Sequence, residues 1–453
     1  MSIDAYLEAH RSEHLEELKD LLRIPSISTD DAFKEHVVRC SEFVRDRLSE
    51  AGLSTEVFAT PRHPIVYGEW LGAPGAPTVL IYGHYDVQPS EPDELWRNPP
   101  FEPTIEGGNI VARGATDDKG QFYCHVKSIA SLMKLNGSLP VNVKVIIEGE
   151  EEIGSPSLDP FIEANKEKLK ADIVLVSDTP MYAPGKPSIT YGLRGISYLE
   201  VLVQGASHDL HSGLYGGAVP NPINALATMI DKLKDNEGRI LIPGFYDDVA
   251  ELEDEERDAL RSLEYDNAEF CKGVGIEKST GEAGYAIIER ITTRPTLDCN
   301  GIWGGYTGPG AKTVLPAQAR AKISCRLVPN QEPAEITRAF TKYLKDLAPE
   351  GVKVTVTPSH GTIPFVVDRS APAMEAAMEA LETTWGAKPV YTRGGGSIPV
   401  VASFKKLLGL DTILMGLGLE DDLLHSPNEK FALENYYQGI RASAHFLQIL
   451  GRK

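Results

Sequence analysis

Histidines and carboxylates fall in five short polar segments of this chain, and three of these directly follow apolar runs. Gly83-His84-Tyr85-Asp86 follows the run 77–82, Glu148-Gly149-Glu150-Glu151-Glu152 follows 141–147, and Ser177-Asp178-Thr179 follows 173–176. In Arg113-Gly114-Ala115-Thr116-Asp117-Asp118-Lys119-Gly120, glycines bracket an aspartate pair, and His425 lies in Leu423-Leu424-His425-Ser426-Pro427-Asn428. Imidazole nitrogen with carboxylate oxygen and no thiolate suits zinc, with manganese or cobalt as alternatives. Residues two apart on extended chain face one side, so Asp86 can accept the ring N–H of His84 while the other ring nitrogen binds a cation. Three successive glutamates repel in a low-dielectric site unless a cation holds one and a proton rests on another. Neighbouring glutamates point differently, which lets one ligate and the next act as a base.

Each segment alone has a plainer explanation: an exposed acidic turn for 150–152, or a helix cap for Asp118. Together they form a His/Asp/Glu/Asp/His set. If Asp117, Glu152 and Asp178 ligate, three negative charges oppose four from two divalent ions. A bridging hydroxide, the nucleophile of a two-metal hydrolase, then cancels the remainder.

Positioning such a set requires an α/β framework. Short, nearly continuous apolar runs read as strands covered on both faces, at 77–82, 141–147, 173–176 and 412–417. Helical periodicity marks 3–22, 32–51, 120–135, 371–385, 400–408 and 428–450. Strands alternating with helices predict a largely parallel sheet, whose ligands gather beyond the carboxyl ends of the strands. Another rhythm starts near Gly195: strand 196–204, helix 222–235, strand 317–328, helix 333–347 and strand 352–357. The expected organisation is an α/β/α catalytic domain of residues 1–195 and 378–453, interrupted by a smaller α/β domain at 196–377. Within the insertion, eight of the twelve residues 247–258 are acidic, a pattern read as a solvated helix face.

The 453 residues suggest about two or three domains, and a net charge of −20 argues against binding nucleic acid. Cys40, Cys124, Cys271, Cys299 and Cys325 are odd in number, widely spaced and without a CxxC pair. With an N-terminus unlike a signal peptide and no membrane-length apolar run, the expectation is a cytoplasmic protein with no membrane partner.

At these residues the chain resembles the dinuclear metallopeptidases that include carnosinase, cytosolic non-specific dipeptidase, glutamate carboxypeptidase, acetylornithine deacetylase and succinyl-diaminopimelate desuccinylase. Eight blocks carry the resemblance in order: YGHYDVQP (82–89), RGATDDKGQ (113–121), EGEEEIGS (148–155), SDT (177–179), DLHSGLYGG (209–217), CRLVPN (325–330), GGGSIPV (394–400) and LLHSPNE (423–429). The last four are closest to the dipeptidase branch. The resemblance implies that His84, Asp117, Glu152, Asp178 and His425 hold two divalent ions, with Asp117 bridging and a cis peptide before Asp118. It implies that Asp86 orients His84 and that Glu151 is the general base. It further implies that the inserted domain is a lid and dimerisation surface, with His211 reaching the neighbouring subunit's site to stabilise the oxyanion. Arg326 would anchor the C-terminal carboxylate of a small peptide substrate, and Thr313, His360 and Ser397 would be further substrate contacts. Gly394–Gly396 would let backbone approach the substrate. One departure stands out: Arg393 is followed by Gly394 where many dipeptidase-branch members have glutamate.

The function implied is hydrolysis of the amide bond of dipeptides or short peptides with a free C-terminal carboxylate. The nearest alternative is a deacylase of N-acyl amino acids. A non-catalytic binding protein would have lost a ligand or Glu151, and none is missing.

Overall fold

Four apolar runs too short to be helices form the inner strands of one sheet. In the computed structural model, which describes residues 1–263 and 265–452, the chain divides into two compact units. One comprises residues 1–191, 367–392 and 399–453, and the other 192–366 and 393–398.

The sheet of the first unit runs Ser54–Phe58, Ile65–Trp70, Asn142–Glu148, Thr78–His84, Ile173–Val176, Thr412–Leu414, Ser188–Leu193. The middle four are mutually parallel and the margins antiparallel. The four are buried almost throughout, as hydrophobic strands covered on both faces must be. Helix Lys34–Glu50 packs on the first two strands, Lys119–Asn136 on Thr78–His84, and Pro372–Trp385 on Thr412–Leu414. The terminal helix Leu433–Leu450 packs on Lys119–Asn136 and Pro372–Trp385. Register aligns His84 with Glu148 and Tyr82 with Val176, so three polar segments leave the sheet at one edge. Gly83 permits close approach of strand and helix: a Cβ there would lie 2.4 Å from Phe122 Cβ.

The second unit is built on an antiparallel sheet, Thr296–Gly304, Gln318–Leu327, Gly195–Gln204, Lys353–Thr362. Helices Pro222–Asp231 and Pro333–Asp346 close its core, where Leu226, Met229, Phe340 and Leu344 meet Leu199, Val201, Val203 and Ile323.

Several boundaries differ from the sequence expectation. The helix expected over 3–22 breaks at His10, whose ring Nδ1 lies 2.8 Å from the Tyr6 carbonyl. The helix expected from 428 starts at Leu433, because Lys430–Ala432 pairs with Asn109–Val111 as a strand. The strand expected over 412–417 stops at Leu414, and 400–408 divides into Pro399–Ser403 and a π-turn, Phe404–Leu408. Strands Ser54–Phe58, Ile65–Trp70 and Thr296–Gly304 were not anticipated; the last is an exposed edge strand interrupted by a bulge between Cys299 and Gly301. Of the acidic run, only its end enters helix Asp254–Arg261; its acids are exposed except Glu256, which is half-buried and pairs with Arg393. All five cysteines are free thiols. Among the described residues, no helix is long and apolar enough to cross a membrane.

His125 lies between the sheet and the terminal helix. Its Nδ1 is 2.9 Å from Ser443 Oγ and its Nε2 2.9 Å from Ser177 Oγ, which donates onward to the Met415 carbonyl. This chain of hydrogen bonds fits a neutral ring, and burial pushes the His125 pKa down to about 3. The unfolded chain takes up a proton near pH 6.5, whereas the folded one does not until far lower pH. The stability this group contributes is therefore full above about pH 6.5 and is lost progressively as pH falls toward 3. Between pH 6.5 and 4.5, wild type should lose about 2 kcal/mol more than His125→Gln in urea unfolding; parallel pH profiles would contradict this.

Candidate metal centre

The parallel register delivers His84 to a fully buried position at the sheet edge. Its Nδ1 is 3.1 Å from the Asp86 carbonyl and 3.4 Å from Asp86 Oδ1. A carbonyl only accepts, so Nδ1 carries a proton and Nε2 is the nitrogen left to ligate a cation. That Nε2 is buried without a hydrogen-bond partner, 3.1 Å from Asp117 Oδ1. The other oxygen of Asp117 lies 2.9 Å from His425 Nε2, which is also 3.4 Å from Glu152 Oε2. Two donor sets result: His84, Asp117 and Asp178, and Asp117, Glu152 and His425, each with ligand atoms within 4.8 Å of one another. Asp117 belongs to both and turns one oxygen toward each histidine.

Asp86 fixes the second carboxylate segment. Fully buried, it accepts the backbone N–H of Glu151 at 3.2 Å and of Glu152 at 3.1 Å. The same carboxylate that faces the His84 ring therefore shapes the turn bearing Glu151 and Glu152. Gln88 donates to Glu152 Oε2 at 2.8 Å.

The acidic run resolves into separate duties. Glu148 accepts from the hydroxyls of Tyr82 at 2.7 Å and Ser155 at 2.8 Å. Glu150 accepts from Thr60 Oγ1, His63 N and Ser157 N. Both hold the turn in place, and Glu152 faces Asp117 and His425. Asp118 does not cap its helix through its side chain: it is buried, Oδ2 accepts from His84 N at 3.2 Å, and Oδ1 has no partner. The peptide bond between Asp117 and Asp118 is cis.

Protonation shows what the site lacks. Burial, then the charge of Asp117, pushes Glu152 up to about 8, and burial likewise raises Glu151 and Asp178 above the carboxylate range. Burial opposes a charged His84, but Asp117 and Asp86 outweigh it and hold its pKa well above the usual value. His425 is raised to about 9, first by its hydrogen bond to Asp117. Acids that keep protons beside imidazoles that gain them mark a pocket short of positive charge. With the orphaned His84 Nε2 and an all-nitrogen-and-oxygen donor set, the residues fit divalent cations.

The remaining residues singled out in the sequence belong to the second unit. Arg326 Nη1 is 3.4 Å from Ser397 Oγ. Exposed His211 accepts from Gly213 N at 3.0 Å, and the Thr313 carbonyl accepts from Ser212 N at 3.1 Å. His360 is exposed and stacks on Tyr198. Among Gly394–Gly396, the tight spot is at Gly395, where a Cβ would come 2.4 Å from the Ile291 carbonyl. The close approach there is to a helix of the same unit, whereas a Cβ at Gly396 would meet nothing within 4 Å.

Sequence reasoning passed over Glu429. It is fully buried and accepts hydrogen bonds from Arg113 Nη1, Gly114 N, Thr116 N and Asp117 N. Its signal was an acid four positions after His425, visible in the LLHSPNE block but given no role.

Relatives share this architecture along nearly the whole chain. A Cys-Gly metallodipeptidase of Candida albicans is 35% identical, covering 98% of this chain and 96% of its own length. The Beta-Ala-His dipeptidase of Homo sapiens is 32% identical, covering 97% and 90%. Among solved structures, an M20 family metallo-carboxypeptidase from Sulfolobus solfataricus aligns with a TM-score of 0.85 at 34% identity, over 97% of this chain and all of that one. Residues 80–449 match the profile of peptidase family M20/M25/M40, and with a donor pair built around Asp117 the chain belongs to that family of metallopeptidases.

Proposed function

We propose that this chain hydrolyses the amide bond of dipeptides and short peptides with a free C-terminal carboxylate, using two divalent ions. The observation that carries the reading is the pair of donor sets sharing Asp117. His84, Asp117 and Asp178 would hold one ion, and Asp117, Glu152 and His425 the other; zinc suits these donors, with manganese or cobalt as alternatives. When bound, such ions supply positive charge that acidifies water and polarises the scissile carbonyl.

The protein's own groups then divide the work. Asp86 keeps His84 in the Nδ1–H tautomer and fixes the turn at 151–152. Glu151, held above the ordinary carboxylate range by burial, accepts a proton from the attacking water and returns it to the leaving amine. Arg326 pairs its planar fork with the substrate carboxylate, alongside Ser397. Thr313 and His360 are assigned to further substrate contacts. The second unit, 192–366 with 393–398 where the sequence suggested 196–377, is assigned the role of lid and dimerisation surface. His211 would complete the oxyanion site of a neighbouring subunit. Exposed apolar side chains in the second unit, among them Leu214, Ile302 and Trp303, support a homodimer. Five free thiols support a reducing, cytoplasmic setting.

Relatives called Cys-Gly metallodipeptidase and Beta-Ala-His dipeptidase favour a dipeptide substrate over an N-acyl amino acid. Parallel assays on metal-reconstituted protein should show turnover of Ala- or Gly-containing dipeptides; turnover of N-acetyl or N-succinyl amino acids alone would make the chain a deacylase.

Glu151→Gln should keep both ions by elemental analysis while kcat falls by roughly 10²–10⁴-fold. Loss of the ions instead would move the ligand role to position 151. Subunits carrying His211→Ala, mixed with subunits carrying Asp86→Ala, should regain activity as hybrid dimers. No recovery despite confirmed subunit exchange would rule out a shared site.

A further inference from the structure

We infer that Glu429 is a positioning residue for both cation sites at once, because its carboxylate fixes the backbone that presents Asp117. The inference rests on the reading of Asp117 as the shared ligand. Glu429 Oε1 accepts from Thr116 N at 2.9 Å and Asp117 N at 3.0 Å. Its Oε2 accepts from Gly114 N at 2.9 Å and Arg113 Nη1 at 2.8 Å. Three of the four donors are backbone groups of the loop that ends at Asp117, and all four lie in the interior. Only an ionised carboxylate, accepting at both oxygens and donating nothing, satisfies four converging donors.

The placement of Glu429 gives this clamp its consequence. It sits four residues after His425 on a loop with further anchors: Asn428 accepts from Arg97 N and donates to the Leu95 carbonyl. Leu423, His425 and Asn428 all adopt left-handed backbone. The two loops therefore meet at two levels, His425 against the Asp117 carboxylate and Glu429 against the Asp117 backbone. The Glu429 carbonyl adds a third tie by accepting from Ala112 N at 3.1 Å. Arg113, itself buried, neutralises Glu429 and donates to the Pro89 carbonyl, joining the segment after His84 to the same node. A displacement of Glu429 moves Asp117 relative to His84 and His425 together. Removing one partner of a buried ion pair costs stability as well as geometry, so folding has to be read separately from ligand geometry.

The test is titration of metal-free full-length protein with cobalt(II), followed by calorimetry and visible absorption, with circular dichroism to monitor folding. In Glu429→Gln, one side-chain oxygen becomes a donor facing donors. Both cobalt-binding events should weaken in parallel, each by roughly 10–100-fold, with altered cobalt bands. Asp178→Asn should weaken chiefly one event, and Glu429→Asp, which keeps the charge but shortens the reach, should fall between wild type and Glu429→Gln. A folded Glu429→Gln with wild-type affinities and bands, or with only one event weakened, overturns the inference. If Glu429→Gln does not fold, wild-type cobalt binding by Glu429→Asp overturns it equally. Wild type that takes up fewer than two ions would instead overturn the two-ion reading.

Discussion

Three carboxylates and two imidazoles gathered in two sets that share Asp117, each with ligand atoms within 4.8 Å and with only His425 exposed, constitute an electrostatic conflict that the fold alone does not resolve. Asp117 is the centre of it: each of its oxygens faces a histidine, and Glu152 and Asp178 approach from either side. At short range and low dielectric, such like charges cannot all be ionised. The rest of the first unit exists under that constraint. Parallel strands bring His84, the 148–152 turn and Asp178 to one edge, and Asp86 and Glu429 hold the backbone in the arrangement the charges would otherwise push apart.

Much of this arrangement is legible in the sequence, for a physical reason. Strands buried on both faces are short unbroken apolar runs, and the residues just past their carboxyl ends emerge at the ligand edge of a parallel sheet. His84 and Asp178 are therefore findable from pattern. The division of labour among Glu148, Glu150 and Glu152 is not, because it depends on Tyr82, Thr60 and His63, which come from other strands and loops. Glu429 is hidden in the same way: its partners lie more than 300 positions away in sequence. The strand Thr296–Gly304 escapes notice because an exposed, bulged edge strand shows no apolar alternation. The break at His10 falls within an otherwise periodic stretch, where the ring Nδ1 lies against the Tyr6 carbonyl.

The second unit distributes its polar groups differently. Its core is apolar and antiparallel, and the residues assigned to substrate lie in strands and loops outside that core. Arg326 illustrates the design: it projects from a central strand, with neighbours on both sides to fix the backbone, and its guanidinium meets Ser397. A planar fork on a rigid strand loses less freedom on binding a carboxylate than a lysine on a loop would.

The segment Arg393–Ile398 shows how the departure at Gly394 is accommodated. It is flanked in sequence by stretches of the first unit, yet it groups with the second. Several contacts hold it there: Arg194 N donates to the Gly394 carbonyl at 3.3 Å and its Nε to the Gly395 carbonyl at 2.8 Å, Arg326 reaches Ser397, and Arg393 pairs with Glu256. Glu256 comes from the acidic run that composition alone marked as solvated surface. A carboxylate missing from the chain at position 394 is thus met, one residue earlier, by one from a separate helix, and both partners of that pair are largely withdrawn from water. The placement of Arg393 therefore depends on helix Asp254–Arg261 as much as on its own segment.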